Sequence, residues 1–384
     1  MYSEEDINSA VAAGKLSTEA AAALRAHVSA VREMPRRDEE NFRLVTSFND
    51  IFVTIGVIIL LVAVGSIGGA LGGAESAATL LRGSLGVLLP SALVAGAAWF
   101  LAEIFTRRRR MALPSIILLI AFVAAAFTAA TSLVALPLGL IAGADGLSDR
   151  ALENSGLSDA VAAALLVALM LLAGAITVFA ARLHWKRFMV PITVAAGAAA
   201  AVGSVLGAIT MADAAMSDGE GSLAMLPLVL IAGLAVFAVA MRWDMSDRER
   251  STRRSDVAFW LHLLAAPMIA HPLFSSLGVM DGGEGIGIAS ALGVIAIYVL
   301  FGLVALAIDR RALLVSALAY VLAALTFLFD RFGAVELNFA LTALVIGSAL
   351  LTLSAFWTPI RARVVEWLPG SVQARLPVAG TVPA

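Results

Sequence analysis

The sequence predicts an all-α, polytopic integral membrane protein with about ten transmembrane helices and both termini cytoplasmic. Three observations lead there. Hydrophobic residues make up 61% of the 384 and charged residues 14%, with a mean hydropathy of +0.95, whereas soluble chains carry roughly a quarter charged residues. The apolar residues arrive in blocks of about twenty, the length a helix needs to cross ~30 Å of hydrocarbon at ~1.5 Å per residue. These blocks lack the alternation that the strands of a membrane barrel would show. The third observation is the partition of Lys and Arg described below.

The chain opens with a polar stretch. Ser3 is placed to cap a helix whose first turn carries Glu4, Glu5 and Asp6, where carboxylates complement the helix dipole. Gly14 stops that helix, and Ser17 caps a second one that ends before Pro35 and the Arg36-Arg37 pair. Ile7, Val11, Leu16, Ala20, Leu24 and Val28 supply the shared apolar seam of a small hairpin. The run Ala10-Val-Ala-Ala-Gly14-Lys-Leu16-Ser17-Thr-Glu19-Ala-Ala-Ala-Ala-Leu24 resembles the N-terminal segment of an uncharacterised family of bacterial polytopic membrane proteins, described as a domain of unknown function. That pattern is a helix, a Gly-x-Ile/Leu-Ser/Thr-x-Glu turn and a second helix, followed by many spans. Val11 stands near the place where the family carries an aromatic residue. The resemblance implies an architecture only and no particular activity; the location expected for the chain is a bacterial inner membrane.

Ten apolar spans follow, at about 50–73, 83–105, 112–134, 158–181, 189–211, 223–241, 257–279, 286–308, 312–329 and 337–357. With these boundaries, 23 of the 26 Lys and Arg fall on one side, and only Arg82, Arg150 and Arg331 fall on the other. This is the asymmetry of the positive-inside rule. The domains are then residues 1–49, a cytoplasmic N-terminal helical hairpin and linker; 50–357, the ten-helix transmembrane domain; and 358–384, a short amphipathic turn and a disordered cytoplasmic tail. The first apolar span acts as an uncleaved signal anchor. Trp185, Trp243 and Trp357 fall at the cytoplasmic interface. Gly65 and Gly69, Gly68 and Gly72, and Gly203 and Gly207 are small residues four apart, spaced for close helix packing. Pro114, Pro191 and Pro267 follow three successive basic loops at intervals of 77 and 76 residues, a spacing that fits a repeated hairpin but also drift among generic hydrophobic hairpins.

Residues able to carry chemistry inside the spans are few. A charge at the centre of a span costs roughly 2.5–3.5 kcal/mol on insertion scales, so each one is a functional suspect. Glu103 lies one turn before the Arg107–Arg110 cluster and is placed to pair with it; Asp309, next to Arg310, is similar. His262 and His271 share a helix that also carries Pro267, with a basic loop, Arg242–Arg254, in front of it. Nine residues at ~100° each put the two imidazoles on opposite faces, so they cannot share a metal. Pro267 between them is positioned to break the helix and free the carbonyl of Leu263. Broken helices with polar neighbours line the substrate sites of transporters, although neutral histidines also serve as ordinary interhelical hydrogen-bonders, as do Asn338, Thr128, Thr131 and Ser132.

The acidic residues of the outer loops, Asp145, Asp149, Glu153, Asp213, Asp218, Glu220, Asp281 and Glu284, lack the spacing of a calcium loop. Zero cysteines exclude disulfides and thiolate chemistry. The sequence has no His-Glu-x-x-His, Gly-x-Ser-x-Gly or phosphate-loop motif, and its basic loops have no aromatic interleaving of the kind that binds nucleic acid. No catalytic residue, cofactor, metal or nucleic acid is expected. The partners expected are the lipid bilayer and a cytoplasmic protein docked through residues 3–33. Two functions fit: a structural or regulatory membrane protein that uses that hairpin, or a transporter or flippase for a small or lipidic solute, with the polar site at His262, His271 and Pro267.

Overall fold

In the computed structural model the protein divides into two compact units, residues 1–42 and 43–384. The structure describes residues 10–24, 48–72, 80–142, 159–217, 225–250, 252–278, 287–332 and 337–378. Within the first unit, a helical turn over 10–12 ends at Gly14, whose φ of +69° is the left-handed conformation that suits a residue without Cβ. Ser17 Oγ then accepts from the Ala20 amide at 3.1 Å, capping a helix over 18–24. The expected Ser3 cap and the hairpin residues 25–33 lie outside the described residues.

Among the described residues, the second unit has ten helices long and apolar enough to cross a membrane. They are α1 (Phe48–Gly72), α2 (Leu80–Ala102), α3 (Ala112–Ala142), α4 (Asp159–Phe188), α5 (Ile192–Met216), α6 (Met225–Met245), α7 (Arg253–Ser275), α8 (Ile288–Ile308), α9 (Ala312–Arg331) and α10 (Asn338–Ala355). Two short helices follow, α11 (Trp357–Glu366) and α12 (Gly370–Gln373). The count of ten agrees with the hydropathy blocks, and no strand occurs among the described residues. Several helices outrun their apolar blocks. α4 continues through Arg182, Lys186 and Arg187, and α6 through Arg242 and Asp244, because a helix satisfies its own backbone and need not stop where the hydrocarbon does. At the end of α2 the ladder widens into a π-helical turn, Glu103–Arg108.

The helices pack as antiparallel hairpins, α2 with α3, α4 with α5, α6 with α7 and α8 with α9, each with basic residues in or directly beside its connecting turn. The end of the bundle carrying these turns is called the basic end below. One apolar core joins α1 to α5, and a second joins α5 to α10 and takes in Leu376 of the C-terminal segment. α7 is the most enclosed span, with 56% of its most apolar stretch buried against 44% or less in every other span. It contacts α5, α6 and α9 and buries Leu261, Ala265, Ala266, Ala270 and Phe274 completely. It also runs as one helix through both Pro267 and Pro272. The break expected at Pro267 does not occur, since neighbours on three sides hold the segment helical across the missing amide.

Two further expectations meet a different outcome at the chain's end. Trp357, expected at the lipid interface, is buried, with Arg311 over its ring at 4.6 Å. The stretch after Pro369, whose composition suggests disorder, forms α12 and continues to residue 378, with Leu376 buried. Arginine donors hold this segment, as described below. The outer acidic loops lie outside the described residues except for Asp213, whose carbonyl caps the end of α5 through Ser217.

The glycine pairs sort by geometry. A Cβ on Gly68 would lie 2.5 Å from Pro90 Cα and 3.0 Å from its nitrogen, so this glycine lets α1 touch the backbone of α2, and Gly72 does the same against Gly86. Gly69 and Gly203 face open space. Gly68→Ala is expected to destabilise the detergent-solubilised protein by about 1–3 kcal/mol, while Gly69→Ala leaves it unchanged or slightly more stable. Thermal unfolding of the two variants side by side checks this, and an equal loss in both would contradict the contact.

A buried charge network at the basic end

The spacing of buried residues on α6 leads into the site. Gly233, Val236, Ala240 and Asp244 form one inward stripe, so the helix delivers a carboxylate to the position where the next apolar contact would come. Asp244 is fully buried. Its Oδ1 accepts from Arg310 Nη2 at 2.6 Å; its Oδ2 accepts from His262 Nε2 at 2.8 Å and from Arg310 Nε at 3.4 Å. A carboxylate facing a guanidinium offers acceptors only, which assigns the Nε2 proton to His262. The same Arg310 Nη2 also donates to the carbonyl and the hydroxyl of Ser255 in the first turn of α7, at 3.0 and 3.1 Å. One arginine in the α8–α9 turn thus bridges the end of α6 and the start of α7. His262 sits further along α7, and its side chain leans back toward the helix N-terminus to meet Asp244. Phe237 packs edge-on against the imidazole, and Nδ1 has no hydrogen-bond partner among the described residues.

A second carboxylate lies beside the first. Asp309 ends α8 in the left-handed conformation, φ +58°, which Asp tolerates better than most residues. Its Oδ2 accepts from Arg250 Nη1 at 2.6 Å and its Oδ1 from the Trp357 indole at 2.6 Å, with Arg361 Nε 3.7 Å away. Arg250 Nη2 also donates to the carbonyls of Ile308 and Asp309. Burial pulls the Arg250 guanidinium below its ordinary range; neighbouring Arg310 adds to this, and Asp309 and Asp244 oppose it. The loop carrying Arg250 is itself shaped by Asp247, whose Oδ2 accepts from the Thr252 amide and hydroxyl at 3.0 and 2.6 Å, while Thr252 caps α7.

The network reaches the C-terminal tail through two arginines. Arg248 Nε donates to the Leu376 carbonyl at 2.8 Å, and the Val378 amide returns a bond to the Arg248 carbonyl at 3.3 Å. Arg361 Nη2 donates to the Pro377 carbonyl at 2.8 Å. Arg361 is therefore buried, while its neighbour Arg363 is exposed.

The residues singled out in the sequence occupy separate places. His262 belongs to this network. His271, on the opposite face of α7 as the helical angle requires, is exposed and shares a 2.8 Å hydrogen bond with Tyr320 of α9. Pro267 lies between them in continuous helix. Glu103, in the π-helical turn, accepts from Arg107 at 3.2 Å and from Arg187 of the next hairpin at 2.6 Å. Asn338 donates to Asp330 at 2.6 Å, tying the start of α10 to the end of α9. Thr128 bonds Ser91 across α3 and α2. Asp244, Arg310, Arg250 and Arg361 were not among the candidate site residues in the sequence, because all four sit in stretches that read as loop, turn or tail. Among the described residues, no group of three His, Cys, Asp or Glu is placed to hold a metal ion.

No family model, curated protein or solved structure matches the chain.

Removing one member of a buried pair leaves its partner's charge unsolvated, which costs about 3–5 kcal/mol. Asp244→Ala and Arg310→Ala should each destabilise the protein by that amount. The double variant should lose clearly less than the sum, because each single change already disrupts the same contact. Unfolding of the four proteins in a double-mutant cycle measures the coupling, and additive losses would show that the pair is not a unit.

Proposed function

We propose that this protein is a non-catalytic scaffold of the bacterial inner membrane. In this reading the ten-span body holds a rigid cytoplasmic platform at the basic end, and the N-terminal hairpin of residues 3–33 docks a cytoplasmic protein partner. The observation that carries it is that the two buried carboxylates of the network have no free oxygen. All four oxygens of Asp244 and Asp309 are engaged by donors from the protein itself, and those donors come from α7, the α6–α7 loop, the α8–α9 turn and α11. A carboxylate that recognised a substrate would keep an oxygen facing the substrate's path. Here the acceptors are spent on holding four segments and the tail together, which is what a platform needs and a moving gate does not. The many Arg of the turns favour the cytoplasmic orientation, and the polar, capped hairpin supplies a surface outside the bilayer.

The test is co-purification from gently solubilised membranes of the full chain and of a chain lacking residues 1–40. Loss of a partner on deletion is expected, and an unchanged partner list sinks the docking role. A second reading, transport of a small or lipidic solute, draws on one observation. His262 Nδ1, in the most enclosed span, is a buried imidazole nitrogen without a partner among the described residues, on a ring that touches the Asp244 carboxylate of α6. Such a pair is chemically able to pass a proton. If a His262→Ala/His271→Ala double variant keeps full uptake or full phenotype, transport through the histidines is excluded.

A further inference from the structure

The α6–α7 hairpin carries five arginines near its turn, and they divide sharply. Arg248 and Arg250 are consumed by the tail and by Asp309, and Arg253 reaches the Met189 carbonyl at 3.5 Å. Arg242 and Arg254 remain. Both are exposed, and neither guanidinium has an ion pair or hydrogen bond among the described residues. Twelve positions apart in sequence, they are brought by the antiparallel hairpin to the walls of one open cleft of ≈ 280 Å³, completed by Trp243 and Ser246.

Two cations converging on one hollow repel each other, and among the described residues no carboxylate lines the cleft to offset this. The carboxylate nearest Arg242 in sequence, Asp244, is turned into the core, and Asp247 is committed to Thr252. The exposed acids Glu249 and Asp256 do not line the cleft. An anion is the complementary occupant, and the position says which. Arg242 lies in the last turn of a membrane span beside a half-buried tryptophan, the level at which indole rings mark the lipid headgroups. A guanidinium fork matches phosphate oxygens in two directions at once, and basic pockets at this depth between spans are suited to anionic headgroups. We infer that the cleft bounded by Arg242, Trp243, Ser246 and Arg254 binds the phosphate of an anionic phospholipid headgroup, with the two arginines clasping the phosphate and the acyl chains lying along α6.

Native mass spectrometry of the full-length protein in mild detergent reads the binding directly, with phosphatidylglycerol, phosphatidylcholine and inorganic phosphate as the three probes. The wild type should retain phosphatidylglycerol well above phosphatidylcholine. Arg242→Ala/Arg254→Ala should weaken it about 10- to 30-fold, roughly fivefold for each arginine lost near a headgroup. Both changes are at exposed positions outside the buried network, so folding should survive, which an unchanged thermal midpoint verifies. The control pair Arg108→Ala/Arg109→Ala removes two exposed charges from another turn of the same end. Retained binding in the control supports a local site, and an equal loss there overturns it in favour of general surface charge. Binding of inorganic phosphate that is lost in the cleft variant supports the same phosphate chemistry with a free anion as its source. Equal phosphatidylglycerol binding by wild type and cleft variant overturns the inference.

Discussion

The contact between Asp244 and Arg310 is the one on which the second half of the bundle depends. Neither group is tolerable alone where it lies, since an ion removed from water loses several kcal/mol of solvation that only a well-placed counter-charge and further hydrogen bonds restore. The geometry supplies both: a 2.6 Å contact between the ions, an imidazole on the second carboxylate oxygen, and a serine carbonyl and hydroxyl on the guanidinium. These partners come from four places in the chain. The pair therefore forms only when α6, the start of α7 and the α8–α9 turn are docked in one arrangement. Apolar helix faces, which lipid solvates as well as another helix does, would leave that arrangement underdetermined.

Residue choice follows from this constraint. The chain has 24 Arg and only 2 Lys, Lys15 and Lys186. A positive-inside bias alone would accept either residue. Inside the network, however, single arginines serve several acceptors in different directions: Arg310 meets Asp244 and Ser255, Arg250 meets Asp309 and two carbonyls, and Arg361 faces Asp309 and the tail. A planar fork with five donors can do this; an ammonium on a flexible stem holds one direction poorly. The same donors explain why the tail is ordered despite its composition. Its backbone carbonyls are acceptors for side chains that would otherwise be buried with unmet protons.

The fold was legible almost entirely, and the site only at one residue. Span count and hairpin order follow from hydropathy and the partition of charge, both of which are long-range averages that small errors do not disturb. His262 stood out because an imidazole in an apolar block is visible in the sequence. Its partner was hidden by a boundary. With the sixth span ended at residue 241, Asp244 reads as loop, although the inward stripe Gly233, Val236, Ala240 extends to it at helical spacing. Arg310 and Asp309 were hidden differently. An adjacent acid and base at a helix end looks like a self-contained interfacial pair, yet the two side chains diverge to separate partners, Asp244 for one and Arg250 with Trp357 for the other. Pairing across hairpins is a tertiary fact with no local signature.

The apparent repeat shows the same limit from another side. Pro114 and Pro191 stand at the starts of α3 and α5, where a missing amide costs little, but Pro267 lies deep inside α7. Their near-equal spacing in sequence thus joins positions that are not equivalent in space. A different set of residues is equivalent. Arg110, Met189, Arg250 and Asp309, one in each basic turn, have φ between 53° and 58°, and the next helix begins two or three residues after each. Each hairpin thus redirects the chain through a left-handed residue just before its second helix; Met189 and Asp309 directly follow the first helix, whereas Arg250 lies five residues beyond Met245. Non-glycine residues in that conformation are individually strained. Two of the four recover the strain visibly: Arg250 and Asp309 are the residues that bind each other across adjacent turns. The hairpin turns of the second half are thus fastened together by the side chains that make them turn.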